Sequence, residues 1–238
     1  MKFIKLFKEQ TAFDEAKSTL NRPNVSLVKE TSNVYSLKKK NANGYSYVDL
    51  GLPSGLKWAK CNVGATSETD AGLYFAWGET TGYTASQVGT DKQFSWSDYK
   101  HGKSSSKLTK YNQSDGKTVL ESTDDAATQI MGGDWRMPTE TECRELINNT
   151  TNEWIPNYNG TGVNGWKFTG SNGNSIFIPA AGDCGGGSVG NVGNYGNVWS
   201  SSLHTSGPNN AWYLNFNSGN CGMSYSGRCS GQSVRGVL

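Results

Sequence analysis

A chain of 238 residues is long enough for one large domain with a small appendage, and eight Trp, eleven Tyr and eight Phe supply the apolar area that a core needs. The formal net charge is only +2, and beyond Lys38, Lys39 and Lys40 the cations form no cluster, which argues against electrostatic capture of nucleic acid. We interpret that lysine run as a solvated linker, and the thirty Gly predict short strands joined by long ordered loops.

The cysteines predict neither a disulfide framework nor a zinc ribbon. Their number, five, is odd, and no two of them form a Cys-x-x-Cys pair. We therefore expect mostly free thiols at Cys61, Cys143, Cys184, Cys221 and Cys229. Lysines interrupt the apolar run at the N-terminus, so no signal peptide is expected, and no apolar stretch approaches membrane-spanning length.

Residues 1–40 are predicted to form a separate small β/α unit. The pattern indicates a strand at 3–7, a helix that begins at Thr11, and short strands at 25–28 and 34–37. Because so few apolar residues make a weak core, we expect this unit to dock on a partner or to assemble with copies of itself.

The larger domain is expected to span residues 44–238 and to begin with two strands around the turn at 53–55. A long polar excursion at 80–118 follows. Asp124 and Asp125 then open a short helix that glycines close, and Thr139 caps a second helix.

The remainder of the chain is predicted to be β-structure. The Asn-Gly pair inside 170–174 joins a hairpin, and further strands are expected at 198–203, 211–217 and 233–238. Two helices followed by a twisted antiparallel sheet make an α+β domain.

The strand at 211–217 has a strict alternation. Trp212, Leu214 and Phe216 are expected to face the core, and the residues between them the surface. The tract at 219–230 that follows has no such pattern. The contrast suggests a scaffold that carries a recognition surface.

The larger domain carries a series of distinctive motifs, which lie at 47–59, 74–79, 132–139, 177–182, 199–202 and 233–235. Together they resemble the Bacteroidetes major paralogous domain, which has a C-type lectin-like fold. This resemblance implies a variable protein of a diversity-generating retroelement, in which adenine-directed mutagenesis rewrites codons near the C-terminus. Residues 1–40 resemble a segment of virion proteins from gut Bacteroides phages, most closely at 22–26.

The retroelement interpretation limits which residue types a variable position holds. An AAC codon changed at both adenines never encodes Met, Trp, Lys, Glu or Gln, and in 219–230 only Met223 belongs to that set. The alternative is that Gly, Ser, Asn and Tyr simply populate loops. The resemblance of the flanking segments favours a variable region at about 191–230.

Catalytic and metal sites have little support. No Asp, Glu or Lys follows Asp183, so the carboxylates of a lectin-type calcium site are missing. For the same reason Ser188 has no following acid with which to form a hydrolase triad. The glycines at 185–190 are interpreted as a loop rather than as a dinucleotide-binding motif. His101 and His204 are the only histidines, and both are expected on the surface.

The preferred hypothesis is a non-enzymatic binding protein without metal or cofactor, on a phage virion or a bacterial cell surface, with a protein or glycan partner. A fixed structural or adhesion module remains the alternative. A third possibility is a redox enzyme of the formylglycine-generating type at Cys221 and Cys229. The proposed ligand contacts are Tyr195, Asn197, His204, Tyr213, Asn215, Asn217, Asn220, Cys221, Ser224, Tyr225, Ser226 and Cys229.

Overall fold

The computed structural model describes residues 25–31, 34–39 and 44–238. The chain divides into two compact units, Met1–Ser46 and Tyr47–Leu238. In the first, β1 (Val25–Thr31) pairs antiparallel with β2 (Val34–Lys39). Lys38 and Lys39 therefore lie in a strand, which corrects the linker interpretation. Lys40, the strand predicted at 3–7 and the helix predicted from Thr11 lie outside the described residues.

The second unit begins with β3 (Tyr47–Asp49) and β4 (Lys57–Ala59), which pair antiparallel across the predicted turn. Gly55 takes a φ of 75° in that turn, a conformation that glycine adopts without the strain a side chain would cause. The backbone N–H and hydroxyl of Ser54 both donate to the carboxylate of Glu145, at 2.8 and 2.6 Å. This contact holds the turn against Glu145, which lies in the helix Glu140–Asn148.

The polar excursion at 80–118 is ordered by buried aromatic side chains. Phe94 and Tyr99 are almost fully buried, and the Tyr99 hydroxyl donates to the Trp77 carbonyl at 2.7 Å. Glu79 accepts hydrogen bonds from the Lys92 ammonium and the Lys100 backbone N–H, both at 2.8 Å. The expected long ordered loop is therefore present, and aromatic packing holds it.

Two short α-helices follow, as predicted. Helix α1 (Ala126–Met131) has Asp125 as its N-cap, and the Asp125 side chain accepts from the Thr128 N–H. Helix α2 (Glu140–Asn148) begins at a complete capping box, in which Thr139 and Glu142 satisfy each other's backbone N–H groups.

The β-strands of the C-terminal half form three separate antiparallel sheets. The first contains β5 (Thr150–Ile155), β6 (Gly165–Gly170) and β7 (Ser175–Pro179). The second is a small hairpin of β8 (Asp183–Gly185) and β9 (Ser188–Gly190), so the glycine-rich segment interpreted as a loop is in fact paired.

The third sheet contains β10 (Tyr195–Leu203), β11 (Asn210–Asn217) and β12 (Asn220–Gly227), with β11 in the middle. The tract that has no pattern in the sequence thus forms a regular strand. The strand predicted at 233–238 is wrong, because this segment makes only isolated bridges, among them Ser233 to Val198 and Val237 to Trp58. It threads through the domain instead of extending a sheet.

The main hydrophobic core lies where α2 packs on the sheets, and it includes Cys143, Leu146, Phe168, Leu214 and Phe216. Two buried indoles join the third sheet to residues 75–77. Trp199 Nε1 donates to the Phe75 carbonyl and Trp77 Nε1 to the Ser200 carbonyl, each at 2.8 Å.

The predicted α+β class is confirmed. Among the residues that the structure describes, no helix has the length and apolar character needed to cross a membrane.

Candidate ligand-binding surface

The proposed contacts concentrate on the sheet of β10, β11 and β12, and its register separates them onto two faces. Leu214 pairs with Val198 on one side and with Met223 on the other, and all three pack in or against the main core beneath α2. We call this the helix face. Tyr213, one residue earlier, pairs with Trp199 and Ser224 on the opposite side, which we call the polar face.

Most of the predicted contacts occupy the polar face, and cross-strand pairs bring them together. Tyr195 pairs with Asn217, and Asn197 pairs with Asn215. The Asn215 amide donates to the Asn197 side-chain oxygen at 2.7 Å. The predicted residues that the register places on this face are Tyr195, Asn197, Tyr213, Asn215, Asn217, Asn220, Ser224 and Ser226.

Accessibility differs strongly across the polar face. Tyr195 is 40% exposed, whereas Asn197 is only 6% exposed. The Tyr213 ring packs edge-on against Trp199 with a centroid distance of 5.8 Å, and burial raises the pKa of its hydroxyl. Asn197 and Tyr213 are thus less available to a ligand than the alternation in the sequence predicts.

Two other predicted contacts lie on the helix face. Cys221 packs against the main core, and burial raises the pKa of its thiol to about 12. Tyr225 is 52% exposed and stacks on His204 with a centroid distance of 4.1 Å. Trp212 meets the Tyr225 ring edge-on at 5.7 Å, so these three rings form an aromatic cluster beside the sheet.

The turn between β11 and β12 depends on one of the predicted contacts. The Asn217 side-chain oxygen accepts the backbone N–H groups of Gly219 and Asn220, at 2.8 and 3.1 Å. Asn side chains commonly close turns in this way. Asn217 therefore has a structural function in addition to any contact with a ligand.

Arg228 anchors the other end of the tract, and no pattern in the sequence singles it out. Its side chain is fully buried and donates to the Tyr99 hydroxyl and to the carbonyls of Lys110, Tyr111 and Pro208, at 2.9 to 3.0 Å. The guanidinium also lies 4.9 Å from the centroid of the Trp77 ring. These bonds hold the end of β12 against the long excursion.

The two cysteines of the redox hypothesis have different surroundings. Cys221 packs against the main core, whereas Cys229 packs against a second cluster that contains Phe94, Tyr99 and Cys184. Burial raises the pKa of both thiols, which keeps them protonated and poorly nucleophilic at neutral pH. All five cysteines are free, as expected. Among the described residues, no group of three or more His, Cys, Asp or Glu is placed to hold a metal ion.

The expectation that His101 lies on the surface is wrong. His101 is buried, and its Nε2 lies 2.9 Å from the Gly78 carbonyl and 3.7 Å from an Asp124 carboxylate oxygen. Burial lowers the pKa of this imidazole. Asp124 is buried too, but hydrogen bonds from Lys100, Lys110 and Tyr111 hold the pKa of its carboxyl well below the usual range despite that burial.

The polar face can supply hydrogen bonds and aromatic contacts. No Asp, Glu, Lys or Arg occurs between residues 184 and 227 of the chain. A surface of Tyr, Asn and Ser offers rigid amphipathic rings beside donors and acceptors that adapt to many shapes.

A scan of family models matches residues 51–237 to the Lcl C-terminal domain. Neither a search of curated proteins nor a search of solved structures found a match. The matched region contains both α-helices and every strand of the three C-terminal sheets. The chain therefore belongs to the Lcl C-terminal domain family.

Proposed function

We propose that this chain is a non-enzymatic ligand-binding protein whose C-terminal sheet displays a surface diversified by a retroelement. The observation that carries the proposal is the separation of buried and accessible positions along the sheet. Leu214 and Phe216 of β11 are fully buried, and the alternate residues Asn215 and Asn217 stay partly exposed on the polar face. The exposed side chains of the polar face can change while the core beneath the sheet keeps its packing.

Met223 supports this division. It is the one residue of 219–230 that adenine-directed mutagenesis of AAC codons does not produce. In the structure it pairs with Leu214 and packs against the main core. A residue type that the mutagenesis excludes thus occupies a framework position, as the proposal requires.

The proposal extends to fold and setting. The resemblance of the motifs implies a C-type lectin-like fold for residues 44–238, and we assign the protein to a phage virion or to the surface of a gut bacterium. The partner is a protein or glycan on a bacterial surface. Residues 1–40 would attach the binding domain to the virion or assemble copies of it, and multivalency would raise its avidity.

Sequencing the genomic locus in many clones tests diversification. We expect a nearby reverse transcriptase and a template repeat that differs from the 3′ end of this gene only at adenines. Variation should concentrate at accessible positions such as Tyr195, Asn220 and Ser224, and it should spare Leu214 and Arg228. If no template repeat exists, or if substitutions fall equally on the buried positions, diversification is refuted.

A binding experiment tests the surface itself. The purified chain is added to intact cells of gut Bacteroides isolates, and the cell-bound fraction is measured by flow cytometry. Tyr195→Ala should reduce binding about tenfold, because aromatic anchors contribute a large share of an interface's energy. Val192→Ala is a nearby exposed control that should bind like the wild type. Equal binding by both variants would refute a contact through Tyr195.

A fixed structural or adhesion module is the second candidate function. The observation that favours it is the hydrogen bond between Asn215 and Asn197, because it commits two of the proposed contacts to each other. This candidate predicts the same sequence at these positions in every clone. The locus experiment therefore separates the two functions.

A further inference from the structure

Which residue pairs of β11 and β12 exchange hydrogen bonds determines which backbone groups of β12 point outward. In an antiparallel pair, residues that exchange two hydrogen bonds alternate with residues that exchange none. The Arg228 N–H donates to the Asn209 carbonyl at 3.0 Å, which makes Asn209 and Arg228 a bonded pair. Three residues after Asn209, the Trp212 carbonyl of β11 accepts from the Ser200 hydroxyl at 2.8 Å and so points toward β10. Trp212 and Tyr225 therefore form a non-bonded pair.

By the same alternation, Cys221, Met223 and Tyr225 direct their N–H and C=O groups away from β11. β12 is a terminal strand in the order β10-β11-β12. Within the part of the chain that the structure describes, the backbone groups of these three residues make no hydrogen bond to the main chain on that outer side. They form the free edge of the sheet.

The sequence and register of this edge lack the usual protections against strand pairing. Natural edge strands commonly carry Lys or Pro, contain a bulge, or are very short. β12 spans eight residues, Asn-Cys-Gly-Met-Ser-Tyr-Ser-Gly, without a charge or a proline. Its register with β11 runs without a shift from Asn210–Gly227 to Asn217–Asn220. The edge is therefore straight, neutral and long enough to pair with another strand.

The proposed contacts of β12 lie on both sides of this edge. Asn220 and Ser224 belong to the polar face, whereas Cys221 and Tyr225 belong to the helix face. A ligand that rests on one face of the sheet reaches only one of these sets. A strand added to the edge reaches both, because its own side chains alternate between the two faces.

We propose that β12 binds an extended segment of a partner protein by strand addition, with main-chain hydrogen bonds to Cys221, Met223 and Tyr225. This inference rests on the proposed binding function and narrows its partner to a polypeptide. Main-chain bonds are indifferent to side-chain identity. They would supply constant affinity while replaceable residues at Asn220, Ser224 and Tyr225 adjust specificity.

The test uses linear dodecapeptides displayed on phage and selected against the full chain. The tightest peptide is synthesised with a single N-methyl group at each position in turn. If it adds a strand, methylation at every second residue should weaken binding about tenfold, because each lost N–H removes one main-chain hydrogen bond. Methylation at the intervening residues should change binding much less. An effect without alternation, or selection that yields no binding peptide, would overturn the proposal.

Two variants of Tyr225 separate the main chain from the side chain. Tyr225→Ala removes the ring and keeps the N–H, whereas Tyr225→Pro removes both. Strand addition predicts that Tyr225→Pro binds the peptide about tenfold more weakly than Tyr225→Ala. Equal affinities of the two variants would contradict it.

Amide hydrogen exchange on the unmodified chain supplies a readout that needs no variant. The Tyr225 amide should exchange fast in the free protein and slow down in the complex, and unchanged exchange would also overturn the proposal. A failure of the peptide tests would leave the locus and cell-binding results intact. The locus and cell-binding experiments test the proposed function whether or not β12 binds a strand.

Discussion

At the residue scale, the fully buried guanidinium groups of Arg228 and Arg235 donate to neutral oxygens. Arg235 donates to the Asn62 side chain and to the carbonyls of Ala59, Lys60 and Phe177, and burial lowers its pKa to about 10. The sequence predicts an internal anchor at Arg235, and its complete burial confirms this. The same arrangement at Arg228 was not foreseeable. The oxygens that accept its hydrogen bonds belong to segments more than a hundred residues apart, at Tyr99 and Pro208.

Replacement of Arg228 tests the anchor. Arg228→Gln leaves the carbonyls of Lys110 and Tyr111 buried without donors, so we expect a loss of about 3 kcal/mol or more in the free energy of unfolding. Urea denaturation measures this loss. Arg144→Gln is the matched control, because Arg144 is half-exposed and its ion pair with Glu140 should contribute less than about 1 kcal/mol. Similar losses in the two variants would contradict an anchoring function.

His101 gives the fold a dependence on pH. Burial lowers the pKa of its imidazole below the 6.5 of the unfolded chain, so below about pH 6.5 the unfolded state binds a proton that the native state rejects. Stability should fall as the pH drops from 7 toward 5. The groups that face the ring are Tyr99, Lys100, Tyr111, Asp124 and Arg228.

The measurement compares urea midpoints of wild type and His101→Gln at several pH values between about 5 and 7. The variant should lose part of the pH dependence. Asp124 has a pKa depressed from 3.8, so its contribution stays in place throughout this range and is lost only in stronger acid. Identical pH profiles of the two proteins would show that His101 is not the source.

At the element scale, local signals predicted the helices and missed β12. The capping box at Thr139 and the glycines after Met131 lie within a few residues of the helices they limit. β12 contains Gly, Ser and Asn, which are poor strand formers, and it exists because each of its residues pairs with β11. The segment at 233–238 is the opposite case. Its sequence is typical of a strand, but in the structure it forms only isolated bridges.

Glycines in the third sheet provide a test of its packing. A Cβ on Gly196 would lie 1.9 Å from the Phe216 ring, so Gly196→Ala should destabilise the protein by about 1–3 kcal/mol or more. Gly222→Ala is the control, because a Cβ there meets no atom within 4 Å. Thermal unfolding of both variants measures the difference. Equal melting temperatures would show that β10 and β11 are not packed as described.

At the scale of the whole molecule, composition and order of elements were sufficient for the α+β class. The distribution of the proposed contacts over two faces was not foreseeable, since alternation assigns a face only where strand and register are known. Large aromatic side chains in the sequence predict core positions for Trp58, Trp77 and Trp199, and each is fully buried. Asn197 was expected at the surface and is buried, and its side-chain oxygen accepts a hydrogen bond from Asn215 across the sheet.

The division into two compact units predicts separable behaviour. A chain that lacks Met1–Ser46 should keep the cooperative unfolding of Tyr47–Leu238, with a melting temperature within about 4 °C of the full chain. If the first unit assembles copies, light scattering should give a multimer for the full chain and a monomer for the truncated one. Equal oligomeric states would refute assembly through the first unit.

The packing of Tyr213 on Trp199 gives the polar face a built-in optical probe. Trp199 is fully buried, its indole N–H donates to the Phe75 carbonyl, and the partly buried Tyr213 ring packs edge-on against it. A ligand that displaces or polarises Tyr213 would alter the environment of that indole. Occupancy of the polar face should then change the intrinsic fluorescence of the unlabelled protein, and Tyr213→Phe would calibrate the signal.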